Sequence, residues 1–302
     1  MPELRKDYFL DRYVIVATER KKRPDEFVKP KKSAEKKEKI CFFCPGNEKT
    51  TPPEISRIEK NGKWVVRNFP NKFPATKWHE VIAETPEHGK EIADLKVEDM
   101  VKVFELFAKR INAIEKNPLV KYVLVFKNFG EDAGASLQHS HTQIVGLEII
   151  PSFVKEEIDA AKKYFKNKKS CPYCDIWKKE MKSERKIFED KHTAVFAPYA
   201  SEFPFEVLIM PKRHITRLEK FSKDELLSLC TALKKILLRM RKMLDVPAYN
   251  FYLHISPKKE NLHLHLVLFP RLTKFAGFEF GSGVIINIVS PESATENYRE
   301  GL

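Results

Sequence analysis

Two imidazoles and a carboxamide alternate in the run Ser136-Leu137-Gln138-His139-Ser140-His141-Thr142-Gln143. If His139 to Leu147 is an extended strand, its period of two puts His139, His141 and Gln143 on one face. Burying three such side chains against an apolar strand is costly unless each has a partner. Near pH 7 an imidazole is largely neutral, and its free nitrogen can attack phosphorus or bind a metal. Asn128, Gly134, Ser136 and Gln143 surround His141 in sequence with donors and bare backbone. That set suits a diphosphate and the charge that develops on it.

Cysteine supplies a second chemistry. Four of the five cysteines form C-x-x-C pairs, Cys41/Cys44 and Cys171/Cys174, while Cys230 falls in an apolar helical pattern and reads as core. Each half of the chain offers two Cys and two His in corresponding places: Cys41, Cys44, His88 and His139, then Cys171, Cys174, His214 and His263. Cys₂His₂ is a saturated tetrahedral zinc set, and a closed site is structural. Two structural Zn²⁺ sites are therefore expected, with His263 or His265 as the last ligand of the second. With His139 committed to metal, His141 is the free imidazole of the motif.

The elements that must position these residues occur twice. Tyr13 to Ala17 reads as a strand, followed by the basic run Arg20-Lys21-Lys22-Arg23-Pro24. Trp64 to Arg67 and His79 to Glu84 are strand-like, Val97 to Lys116 carries a helical apolar stripe, and Tyr122 to Phe126 reads as a buried strand before the histidine motif. The second half gives helices over Ser152 to Phe165 and Lys223 to Leu244, and strands over Thr193 to Ala197, Glu206 to Met210, Tyr249 to Ile255 and Leu262 to Pro270. Cys171 follows Cys41 by 130 residues, His214 follows His88 by 126, and His263 follows His139 by 124. Phe73-Pro74 with His79-Glu80-Val81-Ile82 matches Phe203-Pro204 with Phe205-Glu206-Val207-Leu208. Landmarks in one order at nearly constant spacing argue for duplication. The expected fold is α+β: two tandem halves, 1–150 and 151–302, each an antiparallel sheet with packed helices, forming one pseudo-twofold unit. Val267 stands where Gln143 would recur and the Gly/Ser loop is missing, so the first half is the one equipped for chemistry.

The 302 residues are 42% hydrophobic and 32% charged, with a formal net charge of +13. No apolar run reaches the length of a membrane helix and the N-terminus has no apolar signal core, so a cytoplasmic protein is expected. The positive balance permits attraction to phosphates, but Lys interleaves with Glu, as over 29–39, which reads as solvated surface. A zinc-stapled, non-catalytic nucleic-acid-binding protein is the reading from another class, and zinc modules have no need of an H-x-H-x-Q strand.

His139-Ser140-His141-Thr142-Gln143 after Asn128-Phe129-Gly130-Glu131-Asp132-Ala133-Gly134-Ala135-Ser136 resembles the active-site segment of galactose-1-phosphate uridylyltransferases, in the histidine-triad superfamily. The basic run at 20–24, C-x-x-C, Thr85-Pro86-Glu87-His88 and Lys274-Phe275-Ala276-Gly277-Phe278-Glu279 extend the likeness over nearly the whole chain. The resemblance implies a double displacement: His141 attacks the α-phosphorus of UDP-glucose, glucose 1-phosphate leaves, and galactose 1-phosphate takes the uridylyl group. It further implies that Asn128, Ser136 and Gln143 hold phosphates, that Arg20, Arg23 and Asn71 lie near the nucleotide, and that Lys274, Phe275 and Glu279 contact the sugar end. Some family members bind a second metal through a Glu and several His, where Glu157, His254, His263 and His265 could fall. A homodimer whose partner completes the sugar site is implied as well. The usual motif is H-P-H-G-Q. Ser140, Thr142, the second C-x-x-C and the tail Gly277 to Gly283 look more like relatives acting as ADP-glucose phosphorylases, in which phosphate resolves the nucleotidyl-histidine. Resolution by water, making a hydrolase, is a further alternative.

Overall fold

A computed structural model of the protein describes residues 1–22, 41–245 and 247–301. Ten strands form one continuous antiparallel sheet, five from each half. In chain order they are β3 (Ser56–Lys60), β4 (Lys63–Pro70), β5 (Trp78–Ala83), β6 (Tyr122–Phe129), β7 (His141–Leu147), β8 (Lys186–Glu189), β9 (Thr193–Phe196), β10 (Val207–Pro211), β11 (Tyr249–His254) and β12 (His265–Pro270). Their spatial order is β3-β4-β5-β7-β6-β11-β12-β10-β9-β8, so the halves meet at the β6–β11 pair, where Phe251 lies opposite Lys127. This central pairing makes the two halves one pseudo-twofold unit rather than two separate cores.

Two long helices, α1 (Val97–Ile114) and α4 (Lys223–Leu244), cover one face of the sheet. Each exists because apolar residues recur at helical spacing: Met100, Val103, Phe104, Phe107 and Ile111 on α1, Leu226, Leu229, Leu233, Ile236 and Met240 on α4, all buried. A capping box starts α4. The Ser222 hydroxyl accepts from the Glu225 N–H (3.2 Å) and the Glu225 carboxylate accepts from the Ser222 N–H (2.8 Å). Cys230 is completely buried in this layer, as its place in the apolar pattern predicts. Arg217 ties the halves together, donating to Glu115 Oε2 at the end of α1 (2.6 Å) and to Asn112 Oδ1 (3.0 Å).

The other face carries two smaller clusters. In the second half it is covered by α2 (Ser152–Lys168) and α3 (Pro172–Glu180); in the first, by the loop holding Cys41 and Phe43. The N-terminal strands β1 (Glu3–Lys6) and β2 (Tyr13–Val16) form a separate sheet with β13 (Ile285–Asn287), which runs parallel to β2. The short helices α5 (Gly277–Ser282) and α6 (Pro291–Arg299) flank β13. Consequently the first residues, which the sequence assigns to the 1–150 half, dock on the second half. Arg5 bonds the Tyr199 carbonyl and Glu292, Tyr8 donates to Glu180, and Arg12 pairs with Glu156. Tertiary contacts that no local pattern encodes decide this placement.

Two expected boundaries shift. His139 and Ser140 lie just before β7, and Leu262 to Leu264 just before β12, since His139 and His263 turn toward cysteines instead of laddering. The repeat also slips by one residue. Val81 pairs with Gln143 and Leu208 with Val267, so His79 corresponds to Glu206 rather than to Phe205.

Candidate active site and metal-ligand clusters

Sγ of Cys41 and Cys44 each lie 3.6 Å from His139 Nδ1, and Cys44 Sγ is 3.5 Å from His88 Nδ1. All four ligand atoms fall within 4.8 Å of one another. His139 donates from Nε2 to the Thr85 carbonyl (2.7 Å), which fixes the tautomer and leaves Nδ1 facing the thiols. The second half repeats this. Cys174 Sγ is 3.4 Å from His263 Nδ1 and 3.7 Å from His214 Nδ1, while His263 Nε2 donates to the Pro211 carbonyl (2.9 Å). His214 Nε2 donates to Asn261 Oδ1 (3.0 Å). Donor chemistry, spacing and second-partner bonds all fit a tetrahedral metal. His263, not His265, joins this cluster.

His265 instead meets Glu157 and His254, a third group able to hold a cation. His254 Nδ1 lies 2.8 Å from Glu157 Oε2, the Tyr173 hydroxyl donates to Glu157 Oε1 (3.2 Å), and Tyr173 packs on His265 with ring centroids 4.4 Å apart. Burial pushes the His265 imidazole down to about 4. The cavity beside it is only about 90 Å³.

His141 borders a much larger space, a cavity of about 330 Å³ that Asn71, Gly134, Ser136 and Gln143 also line. Its Nδ1 donates to the His139 carbonyl (2.8 Å), so Nε2 carries the free lone pair. Burial lowers its pKa below the ordinary imidazole value, only partly offset by that bond, so the ring is neutral at pH 7. Phe43 packs edge-on against it at 5.4 Å. Gln143 is held by a residue the sequence reading passed over: His79 accepts the Ala75 N–H at Nδ1 (3.0 Å), so its Nε2 donates to Gln143 Oε1 (2.8 Å). Gln143's NH₂ is left as a donor for the cavity. Alternation along β5 (His79, Val81, Ala83) was the available signal, since those positions share the face of Gln143.

The loop before the motif is shaped by two glycines. Gly130 (φ +82°) and Gly134 (φ +83°) adopt left-handed backbone, and a Cβ on Gly130 would lie 2.7 Å from Ala248 Cβ. Asn128 sits beneath this loop and accepts from Asn250 Nδ2 (2.8 Å). Asn71 Oδ1 accepts the Phe73 N–H (2.8 Å) at the cavity rim. Arg20 lies half-buried in the turn Thr18–Lys22, and Arg23 lies outside the described residues. Lys274, Phe275 and Glu279 do not line the His141 cavity. Phe275 stacks on Phe203 in the second half (5.4 Å), and Glu279 accepts the Ala276 N–H at the start of α5 (2.9 Å).

A duplicated α+β sheet with paired Cys/His clusters and one cavity-facing H-x-H-x-Q strand defines a two-halved histidine-motif protein. Two family models match parts of the chain: the N-terminal domain of a family described as a domain of unknown function (DUF4931), over 25–150, and "Scavenger mRNA decapping enzyme C-term binding", over 170–277. The ADP-glucose phosphorylase of Arabidopsis thaliana is 32% identical, aligned over 99% of this chain and 93% of its own length. The galactose-1-phosphate uridylyltransferase of Thermotoga maritima is 28% identical over 99% and 98%. Among solved structures, the Arabidopsis ADP-glucose phosphorylase with bound ADP-glucose superposes with a TM-score of 0.90 at 32% identity, covering 100% of both chains. A uridylyltransferase gives 0.77 at 28% identity, over 99% of this chain and 98% of its own. The chain therefore belongs to the galactose-1-phosphate uridylyltransferase family of the histidine-triad superfamily, in which the ADP-glucose phosphorylases form a branch. It is an enzyme of that family, and among the described residues no helix is long and apolar enough to cross a membrane.

Proposed function

We propose that the protein is a nucleotidyltransferase working by double displacement through His141. The observation that carries this reading is the His141 Nδ1 bond to the His139 carbonyl, with the ring neutral, on the wall of the cavity that Gln143 shares. The Nε2 lone pair attacks the α-phosphorus of a nucleotide sugar, the bond to the bridging oxygen breaks, and sugar 1-phosphate departs with that electron pair. A phosphate oxygen of the acceptor then attacks the nucleotidyl-histidine and returns the imidazole. Gln143, Ser136 and the Gly134 backbone are suited to receive the equatorial oxygens, with Asn128 supporting the loop and Asn71 on the nucleotide side. Arg20 and Arg23 are assigned to the nucleotide by the family motif. The lead reading moves uridylyl from UDP-glucose to galactose 1-phosphate. Phosphorolysis of ADP-glucose is the second reading, favoured by the TM-score of 0.90 and by Ser140 and Thr142 in the motif.

Cys41, Cys44, His88 and His139 would hold one Zn²⁺ and Cys171, Cys174, His214 and His263 another, each closed and structural. A bound metal supplies rigidity here, holding His139 and through its carbonyl the His141 ring. The 1–150 half would be catalytic and the 151–302 half its degenerate copy, in a cytoplasmic homodimer whose partner brings Lys274, Phe275 and Glu279 to the sugar. Support for that arrangement is that none of these three lines the His141 cavity within one chain. Intact mass after mixing with UDP-glucose or with ADP-glucose tests the donor. A uridylyl adduct cleared by galactose 1-phosphate supports the lead reading, an adenylyl adduct cleared by phosphate the second, and no adduct with either refutes both.

A further inference from the structure

Beneath the histidine motif, on the helix-facing side of the sheet, lies a sealed polar cluster that the chemistry above does not use. Lys127 and Glu84 are each 1% exposed, Ser140 3% and Thr142 0%. Lys127 Nζ donates to Glu84 Oε2 (2.7 Å), to Ser140 Oγ (2.9 Å) and to the His141 carbonyl (3.1 Å). Ser140 donates to Glu84 Oε2 (2.6 Å) and Thr142 donates to Glu84 Oε1. All three ammonium protons are thus placed, and both hydroxyls flanking His141 are tied to one carboxylate.

The other half shows what the fold requires at this spot. Extending the β6–β7 register sets Lys127 opposite Thr142, and the matching pair in the second half is Leu253 opposite Leu266. Leu264 stands for Ser140, and Pro211, by the same register, for Glu84. All four are buried, and the three leucines join the apolar core under α4. The same backbone therefore closes over hydrocarbon where no nucleophile has to be held. A buried ion pair loses hydration on both partners and is weak as a stability device. Its occurrence only in the half that carries His141 needs another reason.

We propose that the buried Lys127–Glu84 pair, acting through Ser140, Thr142 and the His141 carbonyl, is a positioning device that holds the His139–His141 step in the geometry of attack. The inference rests on His141 being the nucleophile. Strand hydrogen bonds alone leave a backbone ladder free to breathe at its end, and β7 begins at His141 itself. Four bonds between the Lys127–Glu84 pair and Ser140, His141 and Thr142 pin that end from the side opposite the cavity, so the imidazole keeps its aim without any group intruding on the substrate. Lys127, Glu84, Ser140 and Thr142 are positioning residues; none of them lines the cavity.

The test is an apolar quartet, Lys127→Met, Glu84→Leu, Ser140→Ala and Thr142→Val together, which follows the solution of the second half. Single-turnover formation of the nucleotidyl adduct is timed by rapid-quench mass spectrometry at saturating UDP-glucose or ADP-glucose, whichever the wild type accepts. Donor dissociation constant, zinc content and melting temperature are measured alongside. The expected result is a folded protein with wild-type zinc, a donor dissociation constant within about threefold, and adduct formation slowed roughly 30-fold or more. A folded quartet reacting at the wild-type rate overturns the proposal, as does a loss confined to donor affinity. Should the quartet not fold, Thr142→Val and Ser140→Ala singly read the same split: each should slow adduct formation several-fold, Thr142→Ser should restore the rate, and wild-type rates in both single variants overturn the proposal. Absence of any adduct in wild type would remove the nucleophile reading itself, whereas an adduct formed equally fast in wild type and quartet removes only the clamp.

Discussion

His79→Leu isolates the support of Gln143. Leucine keeps an apolar body of similar size at a position only 8% exposed, while deleting both ring nitrogens. The hydrogen bonds from the Ala75 N–H and to Gln143 Oε1 disappear, together with the 3.2 Å contact between the ring Nε2 and Asn71 Nδ2. The carboxamide is then free to turn, and its NH₂ is no longer committed to the cavity. One net hydrogen bond is worth about 0.5–1.5 kcal/mol, and a donor aimed at developing charge about 3 kcal/mol when removed outright. A loosened donor lies between, at about 1–2 kcal/mol, or roughly 5- to 30-fold in the rate of adduct formation. Gln143→Leu sets the upper limit at about a hundredfold or more. The assay is single-turnover adduct formation in a double-mutant cycle. Because burial already lowers the His79 pKa and keeps the ring neutral, the loss should not vary above pH 6.5. On a Gln143→Leu background His79→Leu should cost nothing further in rate. An equal loss with and without Gln143, or none at all, refutes the reasoning.

Arg217→Met strands the buried Glu115 carboxylate between the halves and should cost about 2–4 kcal/mol, roughly 3–6 °C in melting temperature for a chain of this length. Fluorescence of Trp64 and of Trp177, followed in single-tryptophan proteins, should still report one coincident unfolding transition; two transitions would show that the halves fold separately. Glu206 is pushed up to about 8, chiefly by burial and then by Glu202, despite accepting the Glu202 and Phe203 N–H groups. Its folded pKa lies above the unfolded value, so its stabilising contribution is complete below about pH 4.5 and is lost as pH rises toward 8. Glu206→Gln keeps the acceptor oxygen and should gain stability on wild type across that window; parallel melting curves from pH 5 to 9 would contradict this. Cys41→Ser and Cys171→Ser should each lose one of two zinc equivalents by mass spectrometry and melt at lower temperature, because metal binding adds to folding free energy. Unchanged metal in both variants defeats the two-site account.

Residue types spaced for chemistry were legible in the chain, because a ligand set or a nucleophile strand must keep its donors at fixed intervals. The duplicated Cys and His landmarks led directly to two clusters, and alternation in the motif put His141 and Gln143 on one cavity wall. Long-range pairing was not legible. Nothing local in Tyr122–Phe129 or Tyr249–His254 announces that these strands join across the pseudo-twofold axis. Nor does the N-terminal strand pair signal that it docks beside Ile285–Asn287. The choice between His263 and His265 was open because both sit near one strand end; Cys174 at 3.4 Å and the Pro211 carbonyl decide it. Lys127 falls just past the apolar run Tyr122 to Phe126, and its partner Glu84 lies 43 residues away, so no local pattern marks the pair.

The central claim is that His141 Nε2 becomes covalently nucleotidylated. The most direct measurement is proteolytic mapping of the adduct formed with UDP-glucose or ADP-glucose in the absence of acceptor, with His141→Gly as the control. The account predicts an acid-labile nucleotidyl group on the peptide containing His141, one per chain, absent from His141→Gly although that protein keeps its zinc and its fold. An adduct on any other residue, or turnover that survives in His141→Gly, contradicts it.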